Sequence, residues 1–350
     1  MSNGPLRIEQ YDTVLYNANL NPMGVPESVK KALSENLDSI IRYPNDYYGN
    51  LKKAISEYAG CDEEHLVLGS GSSDLIRLYC ALIAPKKALL PIPSFSEYEN
   101  VLSIYGCEID YYEYKEENDF KFELADFVAN LNSSYDMVIL GNPNNPTSQI
   151  ISREDMETLA EVCKELDIFL LIDEMYMDFV ENHDKLTSMP LVKDYSNIAV
   201  MRSISKFFAV PGLRLSYAVM NNAEYKEVIK ITSTPNSISS LTAVACTELF
   251  KDKSYISQSL SQIYTERNLI YSAMSTNKSV KLYKPFANYM LVKILKDDLS
   301  ASQIAAHCNL KGIVIRNCEN IRGLSDKYIR FCFMKPEQND LLVNTILELL

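Results

Sequence analysis

The alternation of short apolar runs with helical segments limits the folds open to this chain more than any other feature of its sequence. The apolar runs, each short enough to be a buried strand, span residues 66–68, 88–92, 137–140, 168–172, 198–201 and 215–220. Segments with helical periodicity lie between several of them, including residues 75–83 and 155–166. Because strands that are apolar on both faces need helices on both sides, the pattern predicts a mostly parallel sheet in a three-layer α/β/α domain.

A change of pattern after the last of these runs predicts a second, smaller domain. A helical region spans residues 241–271, with an interruption near Asp252. It is followed by predicted strands at 289–294, 312–316 and 328–333, a helix at 302–308 and a final helix from Glu337. We predict three regions, which are an N-terminal segment (1–40) that joins the small domain, a large domain (41–245) and a small α+β domain (246–350).

The N-terminal segment is predicted to contain an extended stretch over residues 14–22 and then a helix. Pro26 fits the first helical position, because the N–H that proline lacks would be unpaired there in any case. Residues 42–50 have the sequence RYPNDYYGN, which predicts a turn-rich break before a further helix at residues 51–59.

Composition and charge exclude several classes of function. The chain has 350 residues, is 47% hydrophobic and carries a net charge of −12, which disfavours nucleic acid and anionic membranes as partners. No apolar run is long enough to span a membrane and the polar start at residues 1–4 is unlike a signal peptide, so we expect a cytoplasmic protein. The 8 cysteines include no CxxC pair and none of the 3 histidines has a partner nearby in sequence, so we expect neither a metal site nor a histidine-based hydrolase.

Lys206 is the candidate nucleophile, and it lies in the connection between the last two apolar runs. A lysine that attacks a carbonyl needs a partly desolvated amine. The neighbouring Ser203, Ser205 and Arg214 would suit a phosphate group. A lysine beside a phosphate site points to pyridoxal phosphate, a cofactor that carries both an aldehyde and a phosphate. From this segment alone, a surface lysine in a polar loop is the alternative.

The turn at residues 69–74, with the sequence GSGSSD, is a candidate phosphate site between a predicted strand and an amphipathic helix. Its glycines let the backbone approach an anion, and the helix N-terminus supplies free N–H groups. An ordinary strand-to-helix turn with Ser73 or Asp74 as N-cap explains the sequence equally well. The turn is not a dinucleotide-binding GxGxxG motif, which would need a third glycine at Asp74.

Two further strand ends carry polar side chains that could reach a ligand. Residues 142–147, with the sequence NPNNPT, follow one apolar run, and Asp173 ends the next, at the edge where parallel sheets bind ligands. A carboxylate at Asp173 can keep a pyridine nitrogen protonated, and Tyr176 could reach the same ring. The alternatives are a proline-rich turn and a helix N-cap.

Two arginines near the end of the chain are candidate anion-binding residues. Arg330 lies within an apolar predicted strand, where a guanidinium is costly unless it meets a carboxylate or a phosphate. Arg316 closes the preceding predicted strand. A structural salt bridge is the alternative for both.

Together, these motifs resemble those of fold-type-I pyridoxal-phosphate enzymes of the class I/II aminotransferase family, over nearly the whole chain. The resemblance rests on Asn-Asn-Pro-Thr (144–147), Asp-Glu-x-Tyr (173–176) and Ser-x-Ser-Lys (203–206) followed by Gly-Leu-Arg (212–214), in the family's order. Within the family, the chain is most similar to threonine-phosphate decarboxylases and histidinol-phosphate aminotransferases. The resemblance implies a homodimer with the fold-type-I architecture.

The resemblance also implies a role in cofactor binding for each candidate residue. Lys206 would bind the cofactor aldehyde covalently, Asp173 would pair with its pyridine nitrogen, and Phe95 would stack on its ring. Asn145 and Tyr176 would contact the ring hydroxyl. Lys206, Asp173 and Tyr176 would be the catalytic residues. The cofactor phosphate would be held by Ser72, Ser73, Ser203, Ser205 and Arg214, with Tyr43 supplied by the neighbouring subunit.

The implied substrate is a small phosphorylated amino acid such as O-phosphothreonine or O-phosphoserine, which the enzyme would decarboxylate. Arg330 would hold its carboxylate and Arg316 its phosphate, and Asn19 would also contact it. Four stretches, residues 19–24, 93–99, 206–212 and 315–324, look more like the decarboxylases, whereas Tyr176 is at least as typical of the aminotransferases. Transamination of histidinol phosphate or a similar amino phosphate is the alternative, and an inactive binding or regulatory module on the same fold is a third possibility.

The chain departs from the family at three positions near the expected site. Ser148 and Ser216 stand where glycine is usual, and Met175 replaces a small residue near the ring. These departures affect the prediction of the substrate's identity more than the prediction of cofactor binding.

Overall fold

The structure, a computed structural model, describes residues 13–232 and 235–350 of the chain. In chain order its strands are β1 (Val14–Leu15), β2 (Leu66–Gly69), β3 (Lys87–Ile92), β4 (Glu108–Glu113), β5 (Met137–Gly141), β6 (Phe169–Asp173), β7 (Ile198–Ser203), β8 (Ser216–Val219), β9 (Val280–Leu282), β10 (Tyr289–Ile294), β11 (Ile313–Val314), β12 (Arg316–Asn317) and β13 (Tyr328–Cys332). Its α-helices are α1 (Glu27–Glu35), α2 (Asn45–Ala59), α3 (Ser72–Ile83), α4 (Ser96–Ile104), α5 (Leu124–Ala129), α6 (Arg153–Glu165), α7 (His183–Leu186), α8 (Ile204–Phe207), α9 (Ala223–Thr232), α10 (Ser240–Leu249), α11 (Lys253–Ser275), α12 (Ala301–Leu310) and α13 (Pro336–Leu347). Residues 1–4, on which the expectation about a signal peptide rests, lie outside the described residues.

Strands from the first two-thirds of the chain form a seven-stranded central sheet in the order β2-β8-β7-β6-β5-β3-β4. Neighbouring strands from β4 to β7 pair in parallel, whereas β8 is antiparallel to both β7 and β2. Each predicted apolar run forms one of these strands. The prediction of an α/β fold with a mostly parallel sheet is therefore confirmed.

Both faces of the sheet are covered, which explains why its strands read as continuous apolar runs. On β5, Val138 and Leu140 belong to one apolar cluster, whereas Met137 and Ile139 belong to a second cluster on the opposite face. Helix α6 contributes to the first cluster and helix α3 to the second. Since the helices take up both faces, ligands reach the sheet at its strand ends.

The C-terminal region contains a separate antiparallel sheet in the order β12-β13-β10-β9. The N-terminal strand β1 pairs in parallel with β11 and not with the central sheet. Arg316 on β12 lies directly opposite Arg330 on β13, so this pairing places the two candidate anion-binding arginines side by side. The domain boundaries at residues 40 and 245 stay a prediction.

Some local predictions are wrong. Helix α2 begins at Asn45, so the predicted break at residues 42–50 is helical over most of its length. The hydroxyl of Tyr48 donates to the carbonyl of Ile238 at 2.8 Å, and such tertiary contacts outweigh the low helix propensity of this stretch. Residues 14–22 are extended only at their start, because Tyr16–Ala18 forms a 3-10 helix.

Two elements of the structure, strand β4 and helix α4, are absent from the elements predicted from the sequence. β4 lies at the edge of the sheet, where its charged residues reach solvent and interrupt any apolar run. Helix α4 begins four residues after the end of β3 and carries Tyr98, a buried residue that lines the cavity at the strand ends.

Three further features of the structure relate to the expectations from composition, namely the cysteines, possible membrane spans and possible metal sites. All eight cysteines are free thiols, and all but Cys61 are buried. Within residues 13–232 and 235–350, no helix is both long and apolar enough to cross a bilayer. In the same ranges, no group of three or more His, Cys, Asp or Glu side chains is arranged to hold a metal ion.

Candidate active site

A cavity of about 460 Å³ lies at the C-terminal ends of β5, β6 and β7, where the chain leaves each parallel strand. Most residues singled out from the sequence line it, namely Ser72, Ser73, Phe95, Asn145, Asp173, Tyr176, Ser205, Lys206, Arg214, Arg316 and Arg330. Their convergence from distant parts of the chain makes this cavity the candidate active site.

Three predicted site residues lie away from the cavity wall. Ser203 is buried behind it, with its hydroxyl 3.0 Å from that of Ser205. Asn19 is also buried, and its side-chain amide donates to the Tyr176 hydroxyl at 3.2 Å. Tyr43 is 79% exposed, so within a single subunit it does not reach the site.

Lys206 is held in an environment that favours its neutral amine. It follows β7 in the short helix α8, where the Ser203 hydroxyl accepts from the backbone N–H of Ser205. Its Nζ donates to the carbonyl of Ala18 at 2.8 Å. Burial, reinforced by the nearby charges of Arg330 and Arg214, lowers the pKa of Lys206 from 10.5 to about 8. A partly buried amine with such a pKa has the properties of a nucleophile, and the alternative of a surface lysine in a polar loop is wrong.

Asp173 is a buried carboxylate with two hydrogen-bond donors. The Tyr98 hydroxyl donates to Oδ2 at 2.8 Å, and the backbone N–H of Met175 donates to Oδ1 at 2.9 Å. Burial raises the pKa of Asp173 from 3.8 to about 6, although both hydrogen bonds oppose that shift. A cationic ring nitrogen beside this carboxylate would offset the cost of its burial.

Tyr98 is the main site residue that the sequence analysis missed. It lies three residues after Phe95 in the first turn of α4, so the two side chains lie on one face of the helix. Their rings pack edge to face with centroids 5.6 Å apart. The spacing of the two aromatic residues could have indicated Tyr98, but only if helix α4 itself had been predicted.

The turn before α3 is shaped to bind an anion. Helix α3 begins at Ser72 with Gly71 as its N-cap and no side-chain cap, so Ser73 and Asp74 are not N-caps as the alternative required. Gly71 has a φ of +98°, and a Cβ there would lie 2.0 Å from Nη2 of Arg214. The positive φ favours glycine at this position, and the Arg214 guanidinium packs against the Gly71 backbone. Free helix N–H groups, serine hydroxyls and a guanidinium therefore meet at one place, which fits a phosphate group.

Arg330 and Arg316 form the opposite wall of the cavity. Arg330 donates from Nη1 to Asn145 Oδ1 and from Nη2 to the carbonyl of Asn17, the latter at 2.8 Å. Arg316 donates from Nη2 to Asn320 Oδ1 at 2.6 Å. Among the described residues no carboxylate forms an ion pair with either arginine, so the structural salt bridge is wrong for both. Two adjacent guanidiniums without anionic partners point to a ligand that carries negative charge.

The departures from the family pattern have different structural settings. Ser148 has a φ of 62°, where glycine is favoured, and its hydroxyl accepts from the backbone N–H groups of Phe286 and Ala287 at 3.0 and 2.8 Å. These bonds fix the Asn-Pro turn to the C-terminal region. Met175 lies on the cavity wall and donates its N–H to Asp173. Nothing in the structure explains Ser216, whose buried hydroxyl has no partner among the described residues.

A buried ion network supports the two strands that carry the key side chains. Arg202, which precedes Ser203, donates to Glu174 Oε2 at 3.0 Å and to Asp178 Oδ1 at 2.8 Å. Thr187 also donates to Glu174, and Tyr58 to Asp178, so the carboxylates are well satisfied. Since all three charged side chains are almost fully buried, each depends on the others to offset its desolvation.

We expect Arg202→Met to lower the free energy of unfolding by about 3–5 kcal/mol, because it leaves two buried carboxylates without their cation. Urea denaturation of the protein would measure the loss. Arg77→Met is the control, since Arg77 forms only an exposed ion pair with Glu97 and its loss should change stability by less than about 0.5 kcal/mol. A loss below about 1 kcal/mol for Arg202→Met would contradict the stabilising role of the network.

Comparisons with known proteins give consistent results. Residues 12–346 match the sequence profile of the family described as aminotransferase class I and II. The chain is 31% identical to the threonine-phosphate decarboxylase of Salmonella typhimurium over 328 residues, which cover 94% of this chain and 88% of that protein. The crystal structure of histidinol-phosphate aminotransferase from Clostridium acetobutylicum superposes with a TM-score of 0.89 at 28% identity, covering 96% of this chain and 99% of that one. The histidinol-phosphate aminotransferase from Sinorhizobium meliloti, solved in complex with pyridoxal-5'-phosphate, gives a TM-score of 0.84 at 19% identity and covers 95% and 91% of the two chains.

Proposed function

The chain belongs to the class I and II aminotransferase family, and we propose that it is a pyridoxal-phosphate enzyme that decarboxylates a small phosphorylated amino acid. The observation that carries the proposal is the pair of arginines without anionic partners, Arg316 and Arg330, on the wall that faces Lys206. O-phosphothreonine and O-phosphoserine carry a carboxylate and a phosphate on one small molecule. Histidinol phosphate carries a phosphate but no carboxylate, so on its own it would pair with only one of the two guanidiniums.

The cavity residues fit the cofactor group by group. Lys206 would bind the aldehyde, and the phosphate would lie against Ser72, Ser73 and Arg214, which line the cavity together. Asp173 would pair with the pyridine nitrogen. Pyridoxal phosphate, when bound, supplies an electron sink for the charge released as a bond to the substrate α-carbon breaks.

The chain's own residues would then bind the substrate and control its protons. Arg330 would hold the carboxylate and Arg316 the phosphate, which fixes the α-carbon between them and Lys206. The Asp173 carboxylate would keep a proton on the pyridine nitrogen. The Lys206 amine, with its lowered pKa, would move a proton at the α-carbon.

Two incubations test the proposed reaction. With O-phosphothreonine as the substrate, we expect release of carbon dioxide from the protein loaded with pyridoxal phosphate. With histidinol phosphate and 2-oxoglutarate, we expect no glutamate. Formation of glutamate as the main product would instead assign the chain to the aminotransferases.

We expect Tyr98→Phe to shift the acidic limb of the pH–rate profile upward by about one to two pH units, because Asp173 loses a hydrogen bond worth about 1.5–3 kcal/mol. The carboxylate form of Asp173 is the active one in this proposal, and the Tyr98 hydroxyl stabilises that form. The pH dependence of kcat/KM would measure the shift. Tyr79→Phe removes a buried hydroxyl without a described partner on α3 and should leave the profile unchanged. A Tyr98→Phe profile that matches the wild type would contradict this role.

A homodimer with Tyr43 contributed across the interface is also part of the proposal. Tyr43 continues an exposed apolar strip formed by Leu37, Ile40 and Ile41, whose exposed fractions are 58%, 69% and 86%. Soluble monomers rarely expose contiguous apolar strips, so a second subunit is the partner we propose for this one.

A cytoplasmic location is also part of the proposal. The free state of all eight thiols supports it, because thiols stay reduced in the cytoplasm.

Ile41→Glu is expected to raise the dimer dissociation constant by on the order of 100-fold, because a charge would be buried in an apolar interface. Analytical ultracentrifugation across a concentration series would measure it. Leu310→Glu is the matched control, since Leu310 is 87% exposed at the end of α12, away from the strip. If the wild type sediments as a monomer at high concentration, the dimer proposal is wrong.

A further inference from the structure

An ion pair between Arg322 and Glu99 joins the C-terminal region to the large domain beside the cavity. The loop of residues 318–327, here called the Arg322 loop, connects β12 to β13. From this loop Arg322 donates to both carboxylate oxygens of Glu99 on α4, from Nε at 3.1 Å and from Nη2 at 2.7 Å. The Tyr111 hydroxyl donates to the same carboxylate at 3.0 Å, and the Arg322 guanidinium lies 4.4 Å from the Tyr111 ring centroid.

The same loop has three further contacts at or next to the cavity wall. Gly323 has a φ of +84°, and a Cβ there would lie 3.3 Å from the backbone nitrogen of Pro93, so the loop backbone lies close to this residue. Ile321 lines the cavity itself. Asn320 accepts the hydrogen bond from Arg316, so the loop fixes the direction of that guanidinium.

These contacts bring together two stretches that stand far apart in sequence. Residues 93–99 and 315–324 are two of the four stretches that look more like the decarboxylases, and neither Glu99 nor Arg322 contacts the cofactor or the substrate in the proposed function. The structure joins them directly, on either side of Phe95. The pair therefore connects the wall that carries the ring-stacking residue with the wall that carries Arg316.

The geometry of the pair suits positioning better than stabilisation. The Arg322 side chain is 50% exposed and that of Glu99 is 27% exposed, so the pair contributes little to the free energy of folding. Two parallel N–H···O bonds and a stacked aromatic ring nevertheless define one orientation of the guanidinium. A lysine could not reproduce that orientation fully, because its ammonium is a point charge.

We propose that Arg322 and Glu99 are positioning residues that hold the Arg322 loop against α4, so that Arg316 is aimed at the substrate phosphate. The inference rests on the proposed function in assigning the phosphate to Arg316. The pair acts through Arg316 and touches neither the reacting carbon nor Lys206. It should therefore affect the binding of phosphorylated substrates and not the rate of the chemical step.

The kinetic test compares variants of the protein loaded with pyridoxal phosphate, acting on O-phosphothreonine. We expect Arg322→Met and Glu99→Gln to raise KM about five-fold with kcat within about two-fold of wild type, as fits a partly exposed ion pair. Arg322→Lys should recover part of the loss. Glu97→Gln is the matched control, because Glu97 lies on the same helix but pairs with Arg77, and its KM should be unchanged.

Amide hydrogen exchange followed by mass spectrometry gives a readout that does not depend on activity. We expect residues 318–327 to exchange faster in Arg322→Met and Glu99→Gln than in the wild type, and not in Glu97→Gln. Unchanged exchange in the loop would overturn the proposal. Faster exchange with an unchanged KM would also overturn it, because the pair would then be only structural.

A wild type that does not act on O-phosphothreonine would refute the proposed function without deciding the role of the pair. Calorimetric titration of the loaded protein with inorganic phosphate would then replace KM. About five-fold weaker phosphate binding in Arg322→Met, with Glu97→Gln unchanged, supports the positioning role. Equal affinity in all three proteins overturns it.

Discussion

Replacing Lys206 with alanine is expected to abolish the visible absorbance that the wild type acquires with pyridoxal phosphate, and to lower turnover by on the order of 10⁴-fold or more. Lys206 is the only lysine among the described residues that line the cavity, so no other amine there can take its place. Its pKa of about 8 leaves a useful fraction of neutral amine near pH 7.5. Spectra of the dialysed proteins after loading with cofactor, together with single-turnover rates, would measure both effects.

Lys206→Arg is the control for charge, because it keeps a cation in the cavity but cannot form the covalent link. It should lose the visible band just as the alanine variant does. A Lys206→Ala protein that still gains the band at one equivalent of cofactor would assign the link to another lysine. A wild type that stays colourless with added cofactor would instead favour the inactive binding or regulatory module.

The central sheet could be predicted from the sequence because each strand is buried on both faces and so leaves a continuous apolar run. Elements with one solvent-exposed side left a weaker signal. Edge strand β4 mixes charged and aromatic residues, and helix α4 has only nine residues and begins soon after β3, so neither element was predicted. Tyr98 was missed as a consequence, although it contacts the central carboxylate of the site.

Asp173 and Lys206 could be predicted as site residues because each lies at the end of a predicted strand, where a parallel sheet binds ligands. The residues that they and the other site residues contact could not be predicted. Arg330 donates to the carbonyl of Asn17, which is 313 positions away, and no local pattern indicates such a contact. The same holds for Arg322 and Glu99, whose pairing depends on how the Arg322 loop packs on α4. Tyr43 could be singled out only by resemblance, because its proposed partner is a second subunit.

Asp173→Asn is expected to lower turnover by on the order of 10³-fold, because a neutral amide cannot hold the pyridine nitrogen in its protonated form. The same change should leave the cofactor-free protein at least as stable as the wild type at pH 7.5. The asparagine side chain can still accept from the N–H of Met175, and its amide can donate to the Tyr98 hydroxyl. Urea denaturation at several pH values and steady-state kinetics would measure the two effects.

The stability part of this prediction follows from the direction of the pKa shift. The pKa of Asp173 is about 6 in the folded protein and near 3.8 in the unfolded chain, so the folded state binds more protons between these values. Its contribution to folding is fully present below pH 3.8 and is lost as the pH rises through 6, which costs the wild type about 3 kcal/mol at neutral pH. Asparagine does not ionise, so the variant should lack this pH dependence.

Asp178→Asn is the matched control, because it also neutralises a buried aspartate but removes a partner of Arg202. We expect it to destabilise the protein, which is the opposite of the expectation for Asp173→Asn. The sign of the change thus separates a carboxylate that is kept buried for a ligand from one that serves the fold. Lys206 also lowers the stability of the folded protein, because its lowered pKa means that folding disfavours its ammonium form. If Asp173→Asn were less stable than the wild type by more than about 1 kcal/mol, the carboxylate would have to be assigned to the fold and not to the cofactor.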